Sequence, residues 1–356
     1  MSTGASVQAP SRDQATDLAR GIAIIAIVAG HVLRGLSAAK LVDGTSTSYV
    51  FADTLLYGFH LSVFALLAGL FIRRGVDRQG RWKYLWTRDA TFLYLYVLWS
   101  LIQGGVKLLS AGLVNTPVTP MEVLDLVHPE GHLWFLPWLM IATTLAVVAR
   151  PWASQRRAAV TLVAAGVISL LTWGYAGDVI GPEGLPLWMF FAVGVTVGDR
   201  RFRAQLSRIA PVPAVSIAGL AAIAYVVAVA FLPVTAPTLG LDTRTAFSVA
   251  LGAVTSWVGV VCVLSASRFI SSLKSNPVSR VLALLGTRSL EIYLAHGVAL
   301  SGTRIALVAL GVTSLPVHIA AGIGLGLFAP LLLWWLMRRL GMPWLFQAPS
   351  RLLPRG

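Results

Sequence analysis

The sequence predicts an all-α, polytopic membrane protein with about ten transmembrane helices around a polar cavity. Hydrophobic residues make up 56% of the 356 residues and charged residues only 12%, whereas a soluble domain carries about 25% charged residues. The apolar residues also fall into runs near the ~20 residues that cross a bilayer. Finally, lysines and arginines gather in every second loop between these runs.

The predicted spans extend over residues 18–36, 50–72, 90–110, 132–149, 158–176, 185–198, 211–232, 246–267, 283–303 and 314–337. Without internal repeats or long linkers, residues 17–340 are expected to form one membrane domain. A disordered cytoplasmic tail, 1–16, precedes it, and a short basic cytoplasmic tail, 341–356, follows it. A secretory signal is the alternative for the first run. Its Arg20 and His31 disfavour that interpretation.

The positive charges set the predicted orientation. With the N terminus in the cytoplasm, the cytoplasmic side holds all lysines and arginines except Arg34, Lys40, Lys107, Arg244 and Arg304. Removing any middle span would destroy this alternation, so the charges support ten spans with both termini cytoplasmic. The expected location of this multi-pass protein is the plasma (inner) membrane. The net charge of +14 then reflects topology, and nucleic acid is not an expected partner. The single cysteine, Cys262, excludes a disulfide framework.

The first run carries two ionisable residues, Arg20 and His31. They are eleven positions apart, so both side chains lie on the same helix face, separated by roughly 16 Å along the axis. Ionisable groups in membrane spans are costly and usually face a protein interior or a watery cavity. We therefore expect the other spans to form the wall of a cavity beside this helix.

Other polar groups are placed at a similar depth in the outer half of the bundle. His60 lies in the second span, His132 opens the fourth, and Glu291 and His296 lie in the ninth. Four histidines near one depth favour a shared functional cavity. Individually, His132 can also be an interfacial residue and Glu291 a hydrogen-bonding residue between helices.

Acid–base chemistry suits these residues better than metal chemistry. The sequence has no pair of ligands at i and i+4 such as HExxH, so we expect no metal. An imidazole in a cavity can take a proton from a hydroxyl at neutral pH, and a nearby carboxylate could fix its tautomer. No serine or cysteine lies in a nucleophile elbow, which favours direct transfer to an acceptor hydroxyl.

The most basic segment is the predicted cytoplasmic loop 73–89. One interpretation is topology control and contact with anionic lipid. The other is a site for a phosphorylated donor, because arginine binds phosphate in bidentate fashion. There is no P-loop, so helices and this loop would have to supply the side chains. Arg88 opens the third span, and Arg20 can approach the same depth from the first.

Several motifs together resemble the acyltransferase-3 family of integral membrane O-acyltransferases. They appear in order along the predicted spans. The first span carries Arg20, Gly21, Gly30 and His31, and the second carries Phe59, His60, Phe64 and Gly69. Arg88 leads the third span with Tyr94, Tyr96 and Trp99, residues 133–136 (LWFL) lie in the fourth, and residues 289–296 (SLEIYLAH) lie in the ninth. The sequence departs from the family pattern in two places. The family's proline after Phe-His is missing, since His60 is followed by residues 61–63 (LSV), and Ala68 replaces a serine.

The resemblance implies transfer of an acyl group, often acetyl from cytoplasmic acetyl-CoA, to a hydroxyl of a carbohydrate, a glycolipid or another envelope molecule. By this resemblance activity depends on Arg20 and His31, with His31 as the base for the acceptor hydroxyl or as an acyl relay. Further residues take implied roles: donor phosphates or the thioester carbonyl for Arg20, Arg73, Arg74 and Arg88, and shaping of the cavity for His60, Glu291 and His296.

Two other classes of protein remain open on sequence alone. A transporter of a lipid-linked or small polar molecule would also bury ionisable groups in many spans. A non-catalytic partner of an envelope-synthesis complex would not depend on His31. The identity of the acceptor and of the acyl chain is not encoded in any of these motifs.

Overall fold

The computed structural model describes residues 14–112, 114–175, 177, 179–238, 244–273 and 276–354. These residues form helices and connecting turns, with no strand among them. The α-helices are α1 (Gln14–Ala38), α2 (Thr47–Tyr57), α3 (His60–Leu70), α4 (Ile72–Gln79), α5 (Arg81–Leu109), α6 (Pro120–Leu124), α7 (Phe135–Ala149), α8 (Gln155–Thr172), α9 (Trp188–Arg208), α10 (Pro211–Phe231), α11 (Ala246–Ser272), α12 (Pro277–Thr287), α13 (Ser289–Ala309) and α14 (Leu315–Arg339). Short 3-10 helices lie at Gly131–Trp134, Pro151–Ala153, Pro182–Leu187, Pro343–Leu345 and Ser350–Leu352.

The prediction of an all-α polytopic membrane protein is confirmed. Within the described ranges, eight helical stretches are long and apolar enough to cross a membrane. One of them, Thr47–Gln79, joins α2, α3 and α4 into a single stretch. The predicted fifth and sixth spans are also helical, in α8 and α9. They are not among the eight, because arginines at the start of α8 and in the second half of α9 lower their mean hydropathy. For these two the crossing stays a prediction.

Helix α1 lies at the centre of the bundle. It contacts α2, α3, α11, α12, α13 and α14. Its apolar residues Leu18, Ile24 and Val28 are fully buried. The helix begins at Gln14, so residues 14–16 of the predicted tail belong to it, while residues 1–13 lie outside the described residues.

Two glycines allow α1 and α12 to cross closely. A Cβ atom on Gly286 would come within 3 Å of the carbonyl oxygen of Asp17, and one on Gly21 would come equally close to the carbonyl of Leu282. Small residues at such crossings let helix backbones approach one another. The crossing holds the first turns of α1, which carry Arg20, against the rest of the bundle.

The segment after α14 folds back onto α5. Trp99 donates its indole N–H to the carbonyl of Leu345 at 2.9 Å, and its ring lies 5.4 Å from that of Phe346. Tyr94 and Trp86 donate to the carbonyls of Trp344 and Leu352. Part of the predicted tail 341–356 is therefore a packed segment that covers one face of α5.

Candidate functional site

Three histidines from separate parts of the chain meet beside α1. His31 lies on α1, His132 in the 3-10 helix Gly131–Trp134, and His296 on α13. The ring centroids of His132 and His296 are 4.2 Å apart, and His31 lies 5.4 Å and 5.1 Å from them. One nitrogen from each ring lies within 4.8 Å of the others. We call these three residues the histidine cluster.

The backbone carbonyl of Tyr293 orients two members of the cluster. It lies 2.8 Å from Nε2 of His132 and 2.8 Å from Nδ1 of His296. A carbonyl oxygen only accepts, so both nitrogens must carry the proton, and the opposite nitrogen of each ring keeps its lone pair. The Tyr293 hydroxyl donates in turn to the His132 carbonyl, which ties α13 to the 3-10 helix.

The His31 ring is held differently. None of the described residues forms a hydrogen bond with it, although it packs against the rings of both partners and, edge-on at 6.2 Å, against Tyr57. Both of its nitrogens are therefore available to a bound molecule. This is the property expected of an imidazole that exchanges a proton with substrate.

His60 lies close to the cluster but outside it. It begins α3, where its Nδ1 donates to the carbonyl of Leu56 at 2.6 Å, and its ring lies 4.8 Å from that of Tyr57. The carbonyl fixes its tautomer in the same way. His60 also lines the larger of the two cavities described next, and its role in shaping that cavity stays a prediction.

Two cavities meet at the histidine cluster. The larger, of about 290 Å³, is lined by Ile27, His31, Arg34, Tyr57, His60, Leu61, Gly131, His132, Trp134, Phe135, Glu183, Thr238 and Tyr293. The smaller, of about 130 Å³, is lined by His31, Val32, Gly35, Leu36, His132, Gly297, Leu300, Ser301, Arg304, His318 and Gly322. His31 and His132 form the wall between them. A molecule in either cavity can therefore reach the His31 ring.

An ion pair that the sequence analysis missed forms one side of the larger cavity. The Arg34 guanidinium binds both carboxylate oxygens of Asp53, at 2.8 and 3.0 Å, and lies 3.4 Å above the centre of the Tyr57 ring. Asp53 is buried. The available signal was the position of Arg34, three residues after His31 on the same helix.

A basic cavity of about 520 Å³ lies where α4 meets α9, and it is lined by Arg73, Arg74, Asp77, Arg78, Val197, Gly198, Asp199, Arg200 and Arg201. Buried Asp199 joins two of the arginines, Arg74 at 3.3 Å and Arg203 at 2.8 Å. The structure thus brings the predicted donor-binding residues Arg73 and Arg74 together. The contribution of α9 was not predicted.

A break in α9 creates one wall of this basic cavity. Gly198 has φ 69° and ψ 157°, a conformation that favours glycine, so the helical hydrogen bonding is interrupted there. The segment after it begins as a new helix N terminus, with backbone N–H groups that lack intrahelical acceptors. Such a terminus favours anions.

The other two predicted arginines lie apart from the basic cavity. Arg20 forms an ion pair with Asp17 at 3.7 Å and lies 5.0 Å from the ring centre of Phe71. Arg88 donates to the Tyr84 hydroxyl at 3.3 Å, and its buried Nε atom has no partner among the described residues. Neither residue lines the cavity formed by α4 and α9.

Glu291 is not a partner of the histidines. Its carboxylate binds Arg288, three residues earlier, at 3.1 Å, and Arg288 in turn lies 3.8 Å above the ring of Trp334. It lines neither cavity beside the cluster. The predicted role of a carboxylate in fixing the histidine tautomer is instead filled by the Tyr293 carbonyl, which a sequence cannot reveal.

The fold and the site together define a polytopic membrane protein in which a titratable cluster borders two internal cavities. A family model described as an acyltransferase domain matches residues 13–335, nearly the whole chain. The chain therefore belongs to the acyltransferase-3 family, as its motifs indicated. No curated protein and no solved structure matches it.

Proposed function

We propose that the protein is a membrane O-acyltransferase that moves an acyl group, by default acetyl, from cytoplasmic acyl-CoA to a hydroxyl of a carbohydrate or glycolipid of the cell envelope. Membership of the acyltransferase family supports the reaction class. The observation that carries the site assignment is the His31 ring, which borders both cavities and has no hydrogen bond to a described residue. The proposed location is the plasma membrane, with both termini cytoplasmic.

In the proposed reaction His31 acts as general base. A ring nitrogen takes the proton of the acceptor hydroxyl while the hydroxyl oxygen attacks the carbonyl carbon of the thioester. The C–S bond then breaks, CoA leaves as the thiolate, and the imidazolium can return the proton to it. Direct transfer requires no covalent enzyme intermediate. Arg20 is assigned to the donor side, where a guanidinium stabilises negative charge on the thioester oxygen or the phosphates.

The basic cavity is the proposed binding site for the CoA phosphates. Arg73 and Arg74 line it beside the backbone of the helix that restarts after Gly198. Bidentate arginine contacts and a helix N terminus are both suited to phosphate oxygens. Arg88 is assigned to the same donor, because its buried Nε atom lacks an acceptor among the described residues.

The larger cavity beside the histidine cluster is the proposed acceptor site. Its wall combines aromatic rings, such as Tyr57 and Trp134, with polar groups, among them Arg34 and Glu183. Sugars present hydroxyls for hydrogen bonding and apolar ring faces for contact with aromatic residues. His60 and His296 shape this region without needing to exchange protons.

Acyl transfer can be tested with purified protein, labelled acetyl-CoA and envelope extract. Wild type is compared with His31→Ala and Arg20→Ala, and His128→Ala serves as a matched control. His128 is exposed and pairs with Asp125 outside the cavities. We expect label in an extract component with wild type and control. In both site variants we expect a loss of at least about 100-fold, from removal of the general base in His31→Ala and of a charge-stabilising cation in Arg20→Ala.

The outcomes separate the competing functions. If wild type consumes no acetyl-CoA with any envelope acceptor, the transferase assignment or its donor is wrong. A transporter of a polar molecule would instead move its cargo across vesicles while leaving the label on CoA. If His31→Ala folds normally and keeps full activity, His31 is not the base.

A further inference from the structure

The geometry of the histidine cluster points to a second property, binding of a metal ion. One nitrogen from each of the three imidazoles lies within 4.8 Å of the other two, and three histidines are the donor set of a known class of zinc site. The residues come from α1, the 3-10 helix Gly131–Trp134 and α13, so they form no short sequence motif that would predict a metal site.

The hydrogen bonds of two rings leave each of them one nitrogen able to bind a metal. His132 and His296 each donate one N–H to the Tyr293 carbonyl, which leaves Nδ1 of His132 and Nε2 of His296 with lone pairs. In zinc sites the ligating histidine commonly donates its other N–H to a carbonyl or carboxylate, and this second contact fixes the ring. Nε2 of His296 is buried and has no partner among the described residues.

The three nitrogens would have to move closer together to bind one ion. A tetrahedral zinc ion with Zn–N bonds of about 2.0–2.1 Å spaces its nitrogens by roughly 3.4 Å. The cluster nitrogens lie within 4.8 Å of one another, and His31 is the ring that no described hydrogen bond restrains. Rotation of His31 can therefore bring its nitrogen toward the other two rings, while any remaining adjustment falls on His132 and His296. The fourth position would face the adjoining cavities, which have room for water or another ligand.

Carboxylates offset part of the positive charge around the cluster. Arg34 is paired with Asp53, and Glu183 places a carboxylate on the wall of the larger cavity. Arg304 lines the smaller cavity, where it donates to the carbonyl of Gly35 at 2.9 Å. The nearest ring nitrogens are neutral donors of the kind that zinc prefers.

We propose that His31, His132 and His296 bind one Zn²⁺ ion, and that the bound ion inhibits acyl transfer. A His31 lone pair given to zinc cannot accept the proton of an acceptor hydroxyl. Zinc occupancy and catalysis would thus exclude each other at one residue. The inhibitory half of this inference rests on the proposed function; the binding half does not.

Metal binding is measured on the purified full-length chain, carrying no polyhistidine tag and stripped with chelator. Zn²⁺ affinity is determined by competition with a chromogenic chelator, and Co²⁺ is added separately to record the visible spectrum of a tetrahedral site. We expect one ion per chain for wild type and for His128→Ala. His31→Ala, His132→Ala and His296→Ala should each bind at least 10-fold more weakly and lose the tetrahedral spectrum.

Folding of each variant is checked by gel filtration and unfolding temperature, because His132 and His296 also bond to Tyr293. His31→Ala breaks no hydrogen bond to a described residue and therefore tests binding even if the other two variants fail to fold. Wild type that binds no more zinc than a well-folded His31→Ala would overturn the proposal. Stoichiometric binding that His128→Ala abolishes would overturn it too, since the site would then lie at His128.

Measurements of acyl transfer with and without zinc distinguish the binding proposal from the inhibition proposal. Chelator-treated wild type should transfer acyl groups, and added Zn²⁺ should inhibit it over the concentration range in which it binds. If stripped protein is inactive and zinc restores transfer, the ion is catalytic and both the inhibition and the role of His31 as base are wrong. If zinc binds but no preparation transfers acyl groups, the proposed function fails while the metal site stands.

Discussion

Replacing Gly286 by alanine is expected to destabilise the protein, because the crossing of α1 and α12 has no room for a Cβ atom. The added carbon would lie within 3 Å of the Asp17 carbonyl oxygen and of the Gly21 nitrogen. Both obstacles are backbone atoms of a helix, so they cannot rotate away as a flexible side chain would. The two helices would have to separate, which shifts the turn that carries Arg20.

The magnitude follows from two opposing effects. Alanine is more favourable than glycine inside a helix by about 1 kcal/mol. Overpacking a tight contact costs about 1–3 kcal/mol, and a backbone obstacle places Gly286 in the upper part of that range. We therefore expect a net loss of about 1–2 kcal/mol in the free energy of unfolding, or roughly 1–3 °C in unfolding temperature for a chain of 356 residues.

Gly166 in α8 provides the matched control, because a Cβ atom there meets nothing within 4 Å. Gly166→Ala should keep the helix-propensity gain and unfold at or slightly above the wild-type temperature. A thiol-reactive dye that reports exposure of the single cysteine, half-buried Cys262, gives the unfolding curve in detergent. An unfolding temperature for Gly286→Ala at or above that of Gly166→Ala would refute the close crossing.

Two further predictions concern the C-terminal segment and the orientation. Trp99→Phe should lower the unfolding temperature by removing the donor to the Leu345 carbonyl, at about 1–3 kcal/mol, whereas Trp82→Phe at an exposed position should leave it unchanged. Equal unfolding temperatures for Trp99→Phe and Trp82→Phe in the same dye assay would show that this hydrogen bond does not hold the segment. The orientation is tested by labelling single cysteines in a Cys262→Ser background. Glu122→Cys, on the predicted outer side, should react with an impermeant maleimide in intact cells, and Arg78→Cys, on the predicted cytoplasmic side, only after lysis. The opposite pattern would reverse the proposed orientation.

Much of the fold is predictable because a membrane span is encoded by a contiguous run of apolar residues. Each predicted run coincides with helix over most of its described residues, and α1 contacts six other helices. The features that the sequence did not predict are a break within a helix and the packing of a non-helical segment. The kink at Gly198 depends on a positive φ angle, and the packing of Phe346 under Trp99 depends on contacts more than 200 positions apart in the chain.

The candidate site was only partly predictable for a related reason. Histidines at similar depth indicated a shared cavity, and His31, His132 and His296 do meet. The partner of each ring was not predictable, because it is a backbone carbonyl. Glu291 was expected to shape the cavity with the histidines, but its carboxylate pairs with Arg288, three residues earlier on the chain.

The segment after α14 illustrates how non-helical backbone can be kept next to a membrane helix. Between Pro343 and Leu352 the chain has carbonyl groups that a regular helix would have saturated. In hydrocarbon such groups cost several kcal/mol unless a donor replaces water. Tyr94 and Trp99, both within the predicted third span, supply such donors to the carbonyls of Trp344 and Leu345, so that aromatic side chains of α5 substitute for solvent along this part of the segment.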